Sequence, residues 1–345
     1  MADVVLNLRD GRPIWAIPPW AVSEIRAAFP SDWSLHVAAG ATDGSGDGTP
    51  ALPPEVVAAL RGARVYLGFG VPEAVLDAGG DTLEWVHSGA AGVGGSLHES
   101  MRASSVRFSN SAGIHGPPIA ESVLAMLLHF TRGLDFAVAA QRRCVWDTDP
   151  FLAADTPGGE LSTLTVGILG YGGIGMEVGT RLRALGTRVL GLRRSAPETA
   201  IDGAGVELLS GEDGMSRLLA ESDALVISAP LTAVTRGVLS SERIRTLRKG
   251  AVVINVARGA LVDEEGLLAA LRDGHLRGAG LDVFAAEPLS PDHPFWEMPN
   301  VLITPHISAV TRGFWRRETD LIVENSRRYR EREPLLNEVD RGRGY

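Results

Sequence analysis

Short apolar runs separated by amphipathic stretches recur along the whole chain. In the second half, runs at 164–169, 188–192, 224–228, 251–256 and 301–304 are rich in Val, Ile and Leu and too short for buried helices. They predict strands covered on both faces, the pattern of a parallel sheet. Stretches at 176–185, 215–220, 240–247 and 264–272 predict the helices between them, and 205–208 and 278–284 predict two more strands, the second with Asp282 inside it. The first half repeats the alternation: strands at 4–8, 35–38, 64–70, 83–87 and 106–109, helices at 18–29, 55–60 and 72–78. Residues 41–54, rich in Gly, Asp, Ser, Thr and Pro, predict an exposed loop. The expectation is an α/β chain of two doubly wound parallel-sheet domains.

The regular pattern breaks at Ser111-Ala112-Gly113-Ile114-His115-Gly116-Pro117-Pro118. Two prolines there suit a bend followed by the first turn of an apolar helix, 119–132. This places a boundary and hinge near 116, with one domain over 117–310. Residues 134–159 read as a connection to the central strand. The last helix, 314–330, is expected to return to the first domain, which then comprises 1–116 and 311–345. Its charges Arg316, Arg317 and Glu318 read as a solvated face, His115 and His129 as packing or surface residues, and Met126 as core.

Candidate chemistry begins at Gly170-Tyr171-Gly172-Gly173-Ile174-Gly175, which comes directly after one predicted strand and opens a predicted helix. Glycines at that spacing allow a tight turn, close approach of a pyrophosphate and close helix–strand packing, with the phosphates on the helix N-terminus. The motif predicts a dinucleotide site. Asp or Glu commonly stands about 20 residues further on to hold the ribose hydroxyls, yet here the next strand ends in Arg193-Arg194-Ser195. Guanidinium groups pair with a 2′-phosphate that a carboxylate would repel. NADP(H) is therefore favoured, with NAD(H) as the alternative.

Composition narrows the class. A content of 45% hydrophobic and 22% charged residues fits a globular protein, and the net charge of −9 offers no general basic surface for nucleic acid. Cys144 is the only cysteine, which rules out an intramolecular disulfide framework and fits a reducing compartment. Asp3 and Arg9 interrupt the opening apolar run, and nowhere do 18 apolar residues run together. A cytoplasmic enzyme with neither a metal site nor a membrane span is expected.

Three polar residues stand after consecutive predicted strands of the second half: Arg258, Glu287 and His306. In a parallel sheet those carboxyl ends share one edge with the glycine loop. Arginine there can grip a carboxylate through two hydrogen bonds. Histidine can pass a proton near neutral pH, and an acid behind it fixes the tautomer and favours imidazolium.

The stretches Asn255-Val256-Ala257-Arg258-Gly259-Ala260-Leu261-Val262-Asp263, Gly280-Leu281-Asp282-Val283-Phe284 through Glu287-Pro288-Leu289, and Thr304-Pro305-His306-Ile307-Ser308 resemble the signatures of the D-isomer-specific 2-hydroxyacid dehydrogenases. The 29-residue step from Arg258 to Glu287 and the 19-residue step to His306 fit that family too. The resemblance implies two Rossmann-like domains, the first a flavodoxin-like substrate domain, with an active-site cleft between them, in a homodimer. It implies that Arg258 binds the substrate carboxylate, His306 is the acid/base and Glu287 orients it. Cofactor contacts fall to Ala229, Pro230, Thr235, Val256, Ala257, Asp282 (toward the nicotinamide carboxamide) and Ser308. Backbone N–H groups over 88–93, at Ser88, Gly89, Ala91, Gly92 and Val93, are assigned to the substrate carboxylate.

Two departures stand out. Arg193 occupies the position where Asp is common, as in the NADP-using glyoxylate/hydroxypyruvate reductase branch. Ala91-Gly92-Val93-Gly94 ends in Gly where the family often has Asp. Glu287 separates the chain from formate dehydrogenases, which carry Gln there. The expected activity is reduction of a small 2-keto acid to a D-2-hydroxy acid. The alternatives are a nucleotide-sensing, non-catalytic binding protein or a related dehydrogenase acting on another small anion. Trp296 is a candidate wall of the substrate pocket.

Overall fold

The computed structural model describes residues 2–40, 51–194, 200–342 and 344. Ser195 and most of the predicted loop at 41–54 lie outside them. The chain divides into two compact units, Met1–His115 with Val310–Tyr345, and Gly116–Ala309.

The first unit runs β1 (Val4–Asn7), α1 (Pro19–Ala28), β2 (Leu35–Val37), α2 (Pro54–Leu60), β3 (Val65–Gly68), α3 (Glu73–Gly79), β4 (Trp85–Ser88), α4 (Glu99–Ala103) and β5 (Arg107–Asn110). All five strands pair in parallel in the order β2-β1-β3-β4-β5, which is the flavodoxin-like order. Every residue of β1, β3 and β4 is buried. The two-residue period explains why both faces are apolar. Val4, Leu6, Val65, Leu67 and Trp85 enter one cluster, while Val5, Tyr66, Val86 and Phe108 enter the other.

The second unit begins with α5 (Gly116–Thr131), α6 (Leu134–Arg142) and α7 (Asp149–Leu152). Residues 134–159, expected as a connection, thus carry two helices. There follow β6 (Thr165–Leu169), α8 (Gly173–Ala184), β7 (Arg188–Leu192), β8 (Glu207–Leu209), α9 (Gly211–Glu221), β9 (Ala224–Ile227), α10 (Ser241–Thr246), β10 (Ala251–Asn255), α11 (Glu264–Arg272), β11 (Leu276–Leu281) and β12 (Val301–Ile303). The seven strands are parallel in the order β12-β11-β10-β9-β6-β7-β8. The chain moves outward one way from β6 through β7 to β8, then restarts at β9 on the other flank. That reversal between β6 and β9 is where such sheets open to ligands. Leu225, Ile227 and Val253 face one cluster; Val166, Ile168, Val226 and Ile254 face the other. Met126 is buried in the second cluster, as expected of a core residue.

Helix α8 starts at Gly173 and not at Met176, because the glycines themselves form its first turn, with Gly172 in extended conformation before it. Strand β11 stops at Leu281, so Asp282 lies just beyond the strand and not within it. Helix α12 (Phe314–Glu331) belongs to the first unit. Its reading as a charged wet face holds for Arg316 and fails for Glu318, which is fully buried. Arg317 lies between: its Nε donates to Ile114 O at 2.7 Å. His115 stacks on Phe314 at 5.4 Å between ring centres, and His129 meets Phe130 edge-on, both packing roles. Among the described residues, no single helix is long and apolar enough to cross a membrane, and no three or more His, Cys, Asp or Glu side chains gather to hold a metal ion.

Candidate active site

One line of register positions the site. Ile303 pairs Leu281, Leu281 pairs Asn255, Asn255 pairs Ile227, Ile227 pairs Leu169 and Leu169 pairs Leu192. These are the last residues of β12, β11, β10, β9, β6 and β7. The segments leaving these strands therefore emerge on one edge, with strands about 4.8 Å apart. The glycine loop leaves Leu169, Ala229 and Pro230 come after Ile227, Arg258 after Asn255, Asp282 after Leu281, and His306 after Ile303.

At the β6 exit, Gly170 has φ +100°, and a Cβ there would lie 2.3 Å from Ala229 N. A Cβ on Gly175 would lie 2.6 Å from Gly170 O, whereas one on Gly172 would meet nothing within 4 Å. The loop is thus closed against the sheet beneath and open above Gly172. The first-turn N–H groups of α8, at Gly173, Ile174 and Gly175, have no intrahelical acceptor. Arg193 and Arg194 are exposed where β7 ends. This donor set fits a dinucleotide's phosphates. Tyr171 needs a correction. Its ring is buried against Gly179 and Gly191, its hydroxyl donates to Asp202 Oδ2 at 2.5 Å, and its backbone N–H donates to Leu192 O at 2.7 Å, so both its side chain and its amide are engaged within the fold. Burial pushes that phenol well above its ordinary range, with the Asp202 carboxylate acting in the same direction.

Further along the edge, Thr235 Oγ1 donates to Pro230 O at 2.7 Å and accepts from Thr232 N at 2.8 Å, closing the turn after β9. Ala229, Val256 and Ala257 are buried, so they offer shape and backbone. Arg258 is aimed by Asn255: the Asn255 Oδ1 accepts from Ala257 N at 3.1 Å, and its Nδ2 donates to Arg258 O at 3.0 Å. Arg258 Nη1 also donates to Ala257 O at 2.7 Å.

His306 and Glu287 meet. His306 Nδ1 lies 2.7 Å from Glu287 Oε2, with the imidazole 42% and the carboxylate 35% exposed, so both reach solvent. An ionised carboxylate only accepts, which puts the proton on Nδ1 and leaves Nε2 for a reacting group. The other carboxylate oxygen, Oε1, accepts from Phe284 N at 2.9 Å, fixing the pair to the segment after β11.

Asp282 has a role that sequence reasoning missed. It is fully buried, and its carboxylate takes Thr304 Oγ1 at 2.6 Å and Ile307 N at 2.9 Å on one oxygen and Ser308 N at 3.0 Å on the other. Its own carbonyl accepts from His306 N at 2.9 Å. His306 adopts φ +54°, a conformation that side chains seldom take. The buried carboxylate holds that turn in place. The Asp282 side chain faces this turn and has no exposed surface in the structure, and the carboxamide contact that the resemblance implies is the alternative role. Ser308 is likewise buried. Trp296 is half exposed, with Nε1 donating to Ser290 O at 2.8 Å.

In the first unit, the loop after β4 has its own order. Gly89 N donates to Gly68 O at 2.7 Å, and Ala90 O and Ala91 O accept from Ser111 N at 3.3 Å and Asn110 Nδ2 at 2.7 Å. Among the described residues, nothing accepts from the N–H groups of Ala91, Gly92 and Val93.

A doubly wound sheet with a glycine loop, and a histidine–carboxylate pair and an arginine on the same edge, defines a dinucleotide-dependent oxidoreductase scaffold. Residues 124–308 match the D-isomer specific 2-hydroxyacid dehydrogenase, NAD binding domain, family. The chain belongs to the D-isomer specific 2-hydroxyacid dehydrogenase family, whose members are NAD(P)-dependent. Within it, the chain resembles the glyoxylate/hydroxypyruvate reductase A branch: it is 36% identical to that enzyme of Salmonella newport (strain SL254) over 230 residues, 67% of this chain and 70% of the relative. It is 38% identical over 192 residues to D-3-phosphoglycerate dehydrogenase of Mycobacterium leprae (strain TN), covering 56% of this chain but only 34% of that protein. A D-isomer specific 2-hydroxyacid dehydrogenase from Xanthobacter autotrophicus Py2, solved with NADPH and MES, matches all of this chain and 99% of its own at TM-score 0.77 and 32% identity. NADPH-dependent glyoxylate/hydroxypyruvate reductase from Sinorhizobium meliloti, solved with NADP and sulfate, matches 100% of both chains at TM-score 0.77 and 27% identity.

Gly259 tests how tightly the edge is built. A Cβ there would lie 1.9 Å from Phe284 C and 2.3 Å from Ala285 N, backbone atoms on the segment leading to Glu287. Gly259→Ala is expected to lower stability by about 1–3 kcal/mol in urea unfolding and to reduce turnover. Wild-type values of both would show that this packing does not hold Glu287.

Proposed function

We propose that the protein reduces a small 2-keto acid, of the size of glyoxylate or hydroxypyruvate, to the D-2-hydroxy acid, using NADPH in preference to NADH. The observation that carries this reading is the His306–Glu287 pair at 2.7 Å on the same sheet edge as Arg258 and the glycine loop. The likeness to glyoxylate/hydroxypyruvate reductases supports the substrate class. On this reading the second unit holds the dinucleotide, the first holds the substrate, and the protein works as a cytosolic homodimer.

Bound NADPH would supply a hydride to the carbonyl carbon. The remaining demands fall on this chain's side chains. Arg258 pairs with the substrate carboxylate and fixes the carbonyl's orientation, a contribution that can lower a barrier by roughly 7–11 kcal/mol when geometry is fully set. The loop at 88–93 adds backbone donors to the same carboxylate, with the N–H groups of Ala91, Gly92 and Val93 available for it. His306, protonated, gives the Nε2 proton to the oxygen as negative charge builds there. Glu287 holds the ring through Nδ1 and so turns Nε2 to the substrate. The first turn of α8, at Gly173, Ile174 and Gly175, would hold the pyrophosphate, with Gly170 and Gly172 giving it room, and Arg193 and Arg194 would take the 2′-phosphate.

Replacing His306 with Ala should cut kcat about 10²–10⁴-fold, the usual worth of a positioned acid/base, while NADPH affinity measured by fluorescence titration stays nearly unchanged. Wild-type turnover in that variant would remove His306 from the chemistry. Arg193→Asp should lower the NADPH-over-NADH preference in kcat/KM by about 10- to 100-fold, as expected for losing charge-assisted hydrogen bonds of about 1.5–3 kcal/mol. An unaltered ratio would mean that Arg193 does not read the phosphate.

A further inference from the structure

The first unit contains a buried polar cluster that no part of the proposed chemistry uses. His87, Ser109, Ser111 and Glu318 are all completely buried. His87 Nδ1 lies 2.9 Å from Ser109 Oγ, and its Nε2 lies 3.1 Å from Glu318 Oε1. Ser111 Oγ donates to Glu318 Oε2 at 2.6 Å and lies 3.1 Å from Ser88 O. Trp85 Nε1 donates to Ser109 Oγ at 2.9 Å, closing the far side of the cluster.

Burying a carboxylate and an imidazole is costly, and apolar residues of the same volume commonly serve stability equally well or better. The position of the cluster points to a different use. His87 is the penultimate residue of β4, and Ser88 begins the loop at 88–93. Ser111 comes directly after β5 and meets that loop twice, through its N–H to Ala90 O and its hydroxyl beside Ser88 O, while the same hydroxyl donates to the Glu318 carboxylate. Glu318 comes from α12, 231 residues beyond His87 along the chain, and its Oε1 packs so close to Gly89 that a Cβ there would sit 3.2 Å away. The carbonyls of Ala90 and Ala91 are drawn toward β5, while the N–H groups of Ala91, Gly92 and Val93 remain without acceptors among the described residues.

We propose that Glu318, with His87 and Ser111, is the positioning group of the substrate-carboxylate loop: a buried hydrogen-bonded cluster that fixes Ser88–Gly89–Ala90 from beneath, so that the free amides beyond present one donor surface. This deepens the functional reading above and rests on the loop at 88–93 receiving the substrate carboxylate. The cluster touches no reacting atom. Its effect is expected in the capture of the anion and not in dinucleotide binding.

The test is steady-state kinetics on the full-length chain with NADPH and a panel of glyoxylate, hydroxypyruvate, pyruvate and a bulkier 2-keto acid, using whichever turns over fastest. Glu318→Gln keeps the shape and turns one acceptor oxygen into a donor; Ser111→Ala, a milder change, removes one hydrogen bond to the same carboxyl group. Gly92→Pro deletes a loop N–H directly and serves as the reference. Glu318→Gln is expected to raise the keto-acid KM about 10- to 100-fold, the scale of a misplaced contact, with Ser111→Ala changing it in the same direction by less. The NADPH KM should hold in both. Unchanged keto-acid KM values in both variants, with Gly92→Pro impaired, would overturn the positioning role and leave the loop reading intact, even if the melting temperature fell. An unimpaired Gly92→Pro, or no turnover of any panel member by the wild type, would overturn the loop reading and this proposal with it. Parallel loss of NADPH binding would assign the cluster to folding and also overturn the proposal.

Discussion

A buried carboxyl group needs hydrogen-bond partners around it, and Asp282 finds its partners in a single turn. Thr304 Oγ1, Ile307 N and Ser308 N all converge on its two oxygens, and His306 N reaches its carbonyl. Unmet, such a group costs several kcal/mol, so β11 and the turn after β12 are bound to one arrangement. That arrangement forces His306 into left-handed backbone geometry and sets its imidazole against Glu287. The pair that carries the proposed proton transfer is thus imposed from below by a residue with no exposed surface.

The same logic recurs along the sheet edge. Asn255, also buried, shapes the exit of β10 with both ends of its amide and so aims Arg258. Gly170 and Gly175 bring backbone against backbone where no Cβ fits, leaving the open side of the loop to a phosphate. In the first unit, His87, Ser111 and Glu318 stand under another loop in the same relation. In the cases of His306, Arg258 and the loop at 88–93, a functional group or amide sits on a buried polar residue with its own hydrogen bonds. Exposed groups could not hold a geometry against solvent alone, since an isolated surface ion pair contributes only about 0–1 kcal/mol.

This layering explains how much of the molecule is legible in its sequence. Strands buried on both faces write themselves as short runs of Val, Ile and Leu, so the strands at 165–169, 188–192 and 251–255 can be read from composition and length. Arg258, Glu287 and His306 are legible because residues after parallel strands must share an edge. The supporting residues are not. Asp282 looks like part of a strand, and Glu318 like one more charge on a wet helix, because their partners lie 22 to 26 and 207 to 231 residues away and leave no local period. Tyr171 misleads for a similar reason: it stands inside the glycine motif, and only the packing of Gly179 and Gly191 shows that its ring turns inward. For Asp282, an acid standing between Leu281 and Val283 in an otherwise apolar run is a signal that could raise the question; Glu318, flanked by Arg317, Thr319 and Asp320, has none.

On the proposed reading Asp282 acts through His306, and replacing Asp282 with Asn separates that role from one in dinucleotide binding. The substitution keeps the volume but sets an NH₂ group against a turn of donors. Turnover and NADPH affinity measured together separate the two roles. The expected result is a fall in kcat of about 100-fold, as when an acid/base is displaced, with NADPH affinity nearly unchanged. Retained turnover with collapsed NADPH affinity would mean that this carboxylate serves the dinucleotide itself, and would contradict the claim.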